Sequence, residues 1–125
     1  MKILKSHPTG SSYICNPPVT NTDVDRIYLV DSCDDVMSEM DGWDFNCSPD
    51  EYPATMQFYS FKKEEDGATL NALITPDEKY YNQFVLATEV AKKMNLLKKE
   101  DRVLLFTAML MPICPLPDKM EQLLK

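Results

Sequence analysis

Two aspartates one residue apart, Asp23 and Asp25, open the run Arg26-Ile27-Tyr28-Leu29-Val30. Its β-branched and aromatic content argues for a buried strand with the carboxylates at its start. Side chains at i and i+2 share a strand face, which sets the two Cα atoms roughly 6.5 Å apart. Two carboxylates at that spacing can share a divalent cation. Without one they repel by something on the order of 3 kcal/mol at about 6 Å and an effective dielectric near 20. The rest of the chain reads as scaffold around residues 9–31.

Upstream stands Gly10-Ser11-Ser12, with eleven residues between Ser11 and Asp23. A glycine followed by hydroxyl residues lets backbone N–H groups close on a phosphate, and the serine hydroxyls can add hydrogen bonds. The same tripeptide also suits an ordinary surface turn, and the acidic pair an ordinary strand-start turn. His7, the one histidine, precedes Pro8 and is biased toward extended backbone. It is either a phosphate contact or general acid, or simply a loop histidine. Asn16-Pro17-Pro18 fixes two φ angles and stiffens the loop before the acidic strand.

A length of 125 residues and a mass of 14.3 kDa suit one domain, 1–125, with a proline-containing tail from about residue 112. The net charge of −7, from 13 basic and 20 acidic residues, and the lack of any basic block argue against duplex nucleic acid as a partner. The N-terminal Met1-Lys2-Ile3-Leu4-Lys5 lacks a secretory apolar core, and no stretch approaches 18 apolar residues. A cytoplasmic protein with no membrane partner is expected. Cys15, Cys33, Cys47 and Cys114 stand far apart without a C-x-x-C pair, so reduced structural thiols are expected rather than zinc ligands.

Residues 2–5 form a short strand or a helix end. After the acidic strand, Asp31 or Ser32 can cap a helix reaching about Met40, with Asp34 and Asp35 in its first turn and Val36, Met37 and Met40 on its apolar face. Capping explains Asp31, Asp34 and Asp35 better than metal ligation does. Residues 43–53 read as a loop. Residues 56–62 and 70–75 are strands, joined through the charged residues 63–67 into an antiparallel hairpin. The longest helix follows to about Asn95, with Thr75 as N-cap and Pro76 at its first position. Tyr81, Phe84, Thr88, Ala91 and Met94 supply its buried stripe. A second helix from about Lys98 carries Val103, Leu104, Leu105, Phe106, Met109 and Leu110 around most of its circumference, so it is either central to the core or paired with a second chain as a homodimer. Pro112, Pro115 and Pro117 stop it, and residues 118–125 are too few for an undocked helix. The elements add up to an α+β fold, a small mixed sheet of three or more strands packed against helices.

Gly-Ser, about ten residues, then Asp-x-Asp on an apolar strand resembles the signature of the polymerase-beta-type nucleotidyltransferase superfamily. Over residues 5–111 the chain is similar to small, mostly phage-encoded nucleotidyltransferase-like proteins. The similarity adds the Cys15-Asn16-Pro17-Pro18 loop, Gly42-Trp43, the segment 49–53, the helix over residues 84–96 and the stretch 100–108. It implies a minimal nucleotidyltransferase fold in which Gly10, Ser11 and Ser12 hold nucleotide phosphates while Asp23 and Asp25 bind Mg²⁺ or Mn²⁺. The superfamily also needs a third carboxylate on a neighbouring strand, and the matching position here is Thr69. Asp66 would replace it only if the hairpin turn folded inward.

Two functions follow from the resemblance. One is transfer of a nucleotidyl group from a nucleoside triphosphate to an acceptor the sequence does not name. The other is a catalytically degenerate fold that binds a nucleotide or a host protein, acting in the host cytoplasm.

Overall fold

The computed structural model describes residues 1–17, 23–49 and 55–114, and the fold is α+β. Five strands form one mixed sheet: β1 (Ile3–Thr9), β2 (Val24–Val30), β3 (Asp44–Cys47), β4 (Tyr59–Glu65) and β5 (Ala68–Thr75). Their spatial order is β1-β2-β5-β4-β3. Strands β2 and β5 run parallel, and the other neighbours are antiparallel. Four helices accompany the sheet, α1 (Ser11–Ile14), α2 (Val36–Glu39), α3 (Glu78–Met94) and α4 (Lys99–Leu110), and a 3₁₀ turn at Met111–Ile113 follows.

Ile27, Leu29, Phe58 and Leu73 pack against Tyr80, Tyr81 and Phe84 of α3 and Leu110 of α4. Val30, Phe61 and Ile74 form a second core with Val36 of α2, flanked by Met40 and Trp43. A third, smaller cluster joins Ile14 and Cys15 at the end of α1 to Ala91 of α3.

Several boundaries differ from the sequence expectation. Strand β1 runs on through His7 and Pro8; it lies at the sheet edge, where proline's missing donor is tolerated. The helix expected over residues 31–40 contracts to one turn, and the Ser32 hydroxyl accepts from the Asp34 amide instead of capping a longer helix. Strand β3 appears at the other edge, inside the expected loop.

The β4–β5 turn is two residues long, not five. Asp66 (φ 52°) and Gly67 (φ 80°) both take left-handed backbone, the requirement of a tight hairpin turn, so both strands extend into the charged stretch. Asp77 rather than Thr75 caps α3, accepting the Tyr80 amide at 3.1 Å, while the Thr75 hydroxyl accepts the Asp77 amide.

On α3 the buried stripe is Tyr80, Tyr81, Phe84, Ala87, Thr88 and Ala91, and Met94 lies outside it. On α4, Leu110 is buried, but Val103 and Leu104 are 55% and 70% exposed among the described residues. All four cysteines are free thiols. No described helix is long and apolar enough to cross a membrane. Pro18, residues 50–53 of the acidic and proline-bearing segment, and the tail beyond Cys114 lie outside the described residues.

Candidate functional site

Strand register assembles the site. Thr9 of β1 pairs with Asp25 of β2, Asp25 with Asn71 of β5, Asn71 with Lys62 of β4, and Lys62 with Asp44 of β3. Cross-strand partners share a sheet face, so these five side chains form one polar row across the sheet. Asp23 lies one step beyond the start of β2, on the same face as Asp25 by strand alternation. Its Oδ2 meets the Lys62 ammonium at 3.5 Å.

Three neighbours define the state of Asp25. Burial pushes its carboxyl up to about 6; the Asn71 amide acts against that rise, the Asp23 charge adds to it, and Lys62 opposes it. Asn71 is oriented by a chain of hydrogen bonds: Asn46 Nδ2 donates to Ser60 Oγ at 3.0 Å, and Ser60 Oγ donates to Asn71 Oδ1 at 3.1 Å. With its oxygen so occupied, Asn71 turns its NH₂ toward Asp25. Asp25 Oδ1 is buried with no hydrogen-bond partner among the described residues. A buried carboxylate oxygen without a donor is costly, and a bound cation would satisfy it.

Gly10 presses on the other oxygen. Its φ is +75°, and a Cβ at this position would stand 2.0 Å from Asp25 Oδ2. Only glycine permits both the backbone conformation and the approach. The Gly10 carbonyl then accepts from the Tyr13 and Ile14 amides, starting α1.

Helix α3 fastens this turn from beneath. Thr9 and Thr88 hydroxyls meet at 2.8 Å, and Tyr13 donates to Glu89 at 2.7 Å, which raises the Tyr13 phenol. Lys92 donates to the Tyr13 carbonyl and lies over its ring. Asn95, in left-handed backbone at the end of α3, both donates to the Asn16 carbonyl and accepts the Asn16 amide, each at 3.0 Å. His7 joins the same assembly, its two ring nitrogens facing the Pro8 carbonyl at 2.6 Å and Glu89 at 3.0 Å. It therefore acts as a brace between β1 and α3 rather than as a member of the cleft.

The row opens on a cleft of about 550 Å³. Gly10, Ser11, Asp23, Asp25, Ser60 and Asn71 line its polar side; Phe58, Phe84, Val103 and Phe106 form an apolar wall; Lys99 and Arg102 of α4 bring positive charge. Arg102 Nη1 also donates to the Leu96 and Leu97 carbonyls, both at 2.9 Å, and to Cys15 Sγ at 3.2 Å, which docks the start of α4 against the end of α3.

The residues singled out in the sequence separate here. Gly10, Ser11, Asp23 and Asp25 converge on the cleft, whereas Ser12 lines a different cavity with Lys92 and Asn95. Thr69 donates its hydroxyl to Glu64 and lines a small cavity with Asp44 and Lys62. Asp66 is exposed at the hairpin tip, and neither it nor Thr69 lines the cleft.

Sequence reasoning missed Asn71, Lys62 and Ser60. The available signal was Asn71 itself, a polar residue interrupting the apolar run 70–74. Its alignment with Asp25 depends on a parallel pairing that no local pattern encodes.

Among the described residues no group of three His, Cys, Asp or Glu side chains converges as a metal site. Asp23 and Asp25 are the carboxylates lining the cleft, with Asn71 and Lys62 standing beside the pair instead of a third carboxylate. No family model, curated protein or solved structure matches this chain.

Proposed function

We propose that this protein binds a nucleoside triphosphate together with one divalent cation, Mg²⁺ or Mn²⁺, as a nucleotidyltransferase-like protein. The observation that carries the reading is the orphaned, buried Oδ1 of Asp25 beside a second carboxylate, with the Gly10 turn packed against the same side chain. Asp23 and Asp25 would hold the cation, which when bound neutralises phosphate charge and polarises the phosphoryl group. Ser11 and the backbone of the Gly10 turn face the same cleft as candidate phosphate contacts. Lys99 and Arg102 add attraction for a polyanion, and the phenylalanine wall offers an uncharged surface for the base.

Within that reading, loss of transfer with retention of binding is favoured by a specific observation. The strand position beside Asp25 holds Asn71, and the next one holds Lys62, so no described side chain there can accept a proton from an attacking hydroxyl at neutral pH. This favours the second reading, a catalytically degenerate fold that binds a nucleotide or a host factor. Losing one electrostatic element of such a site typically lowers the rate by about 10² or more.

Calorimetric titration with Mn²⁺ tests the cation site, with one ion per chain expected for the wild type and none for Asp23→Asn/Asp25→Asn. Equal affinity in the double variant would overturn the assignment. Incubation with labelled nucleoside triphosphates, Mn²⁺ and host lysate separates the two functions: label transferred to protein or RNA supports the enzyme, and retained binding without transfer supports the degenerate binder.

A further inference from the structure

Lys62 holds neither cation nor phosphate in the reading above, yet it is ion-paired with the acidic pair. Its ammonium stands 3.5 Å from Asp23 Oδ2, and its charge also acts on Asp25. The β4–β5 register makes this placement a property of the sheet rather than of a wandering surface side chain, because Lys62 is the cross-strand partner of Asn71. A second feature lies on its other side. An adjoining cavity of about 220 Å³ has Lys62, Asp44, Asn46, Glu64 and Thr69 in its lining, together with a second cation, Lys63. The lysine thus stands between two sets of carboxylates, Asp23 and Asp25 on the cleft side and Asp44 and Glu64 on the other.

We infer that Lys62 is the specificity-determining residue of the cation site: a resident counter-cation that a divalent ion displaces from Asp23 and that retreats toward Asp44 and Glu64. The inference rests on the reading of Asp23 and Asp25 as the cation ligands. The resident ammonium pairs with Asp23, leaves Asp25 Oδ1 without a partner, and lowers the affinity of the two carboxylates for any incoming cation. A monovalent ion gains too little at the two carboxylates to displace a charge equal to its own. A divalent ion gains about twice as much from each carboxylate, so the site discriminates by charge. Because the Lys62–Asp23 pair is partly exposed, with side chains 42% and 37% accessible, the competition is modest and reversible.

The experiment titrates Mn²⁺ into the full chain by electron paramagnetic resonance, in wild type, Lys62→Met, Lys62→Gln, Lys62→Arg and Asp23→Asn/Asp25→Asn. Lys62→Met and Lys62→Gln should each bind Mn²⁺ about five- to tenfold more tightly than wild type, as the removal of a neighbouring positive charge requires. Lys62→Arg should stay near wild type, which a purely structural role for the lysine stem would not produce. In the two neutral variants, K⁺ should also weaken the apparent Mn²⁺ affinity by a larger factor than it does in wild type, because the site then admits a monovalent competitor. If wild type binds Mn²⁺ through the two aspartates and the neutral variants bind no more tightly, the role assigned to Lys62 is overturned while the cation site stands. If neither wild type nor the neutral variants bind Mn²⁺, the cation site itself is overturned, and this role with it. Binding by the neutral variants alone would overturn the displacement, because a divalent ion would then fail to expel Lys62 from the wild-type site.

Discussion

Asp25 is a residue the protein holds at the expense of its own stability, and the cost can be worked from its surroundings. Its carboxyl stands at about 6 against an ordinary 3.8. Between those values the folded chain binds a proton that the unfolded chain has released, so stability falls as pH rises through the window and the loss is complete by about pH 7. A rise of that size corresponds to at most about 3 kcal/mol. Asp25 borders an open cleft, and solvent screening reduces the figure to about 1–2 kcal/mol. Asp25→Asn keeps an acceptor for the Asn71 amide and removes the buried charge. In chelator at pH 7.5 it should therefore be more stable than wild type by about 1–2 kcal/mol, or roughly 4–8 °C in Tm for a chain of this size. Below about pH 4 the two proteins should converge. Divalent metal should close the gap and then reverse it: at tenfold over its Kd it adds about 1.4 kcal/mol to wild type, at a hundredfold about 2.7 kcal/mol, and nothing to the variant. Thermal and urea denaturation from pH 4 to 8, with chelator and with Mn²⁺, would measure all of this. Parallel pH profiles for the two proteins in chelator would refute the argument, because Asp25 would then contribute no proton linkage.

Asn71→Asp adds a carboxylate in the position directly across from Asp25 and should tighten Mn²⁺ binding about tenfold or more, whereas Thr69→Asp, next to Glu64, should change it little; calorimetry compares the two. Gly10→Ala should destabilise by about 3 kcal/mol or more, from positive φ together with the 2.0 Å approach to Asp25 Oδ2, and denaturant unfolding measures it. Leu104, 70% exposed on α4 beside Val103, should support self-association, so light scattering should report dimer for wild type at high concentration and monomer for Leu104→Glu.

Much of the fold was legible because its signals are local. The apolar runs of β2 and β5, the Asp-Gly turn and the 3.6-residue stripe of α3 each follow from residues close together in the chain. The edges were less so. Strand β3, with Asp44, Phe45 and Asn46 all exposed, carries no burial pattern to read. Strand β1 carries a proline, which argues against a strand everywhere except at an edge. For the site, Gly10, Ser11, Asp23 and Asp25 fall in one short stretch of the chain and could be picked out. Lys62 and Asn71 join them only through register across three strands, and Thr69 drew attention by its place in the chain, although the cleft is lined by Asn71 instead.

Thr88, Glu89, Lys92 and Asn95 share a consequence as fasteners of the Gly10 turn. All four lie within the last two turns of one helix and its cap, and the backbone hydrogen bonds between strands do not involve them. A helix frays from its ends at lower cost than a sheet unzips. Opening of the last turns of α3 would therefore free the Gly10 turn from its fasteners without separating the strands, and hydrogen exchange at the Tyr13 and Ile14 amides should report that opening.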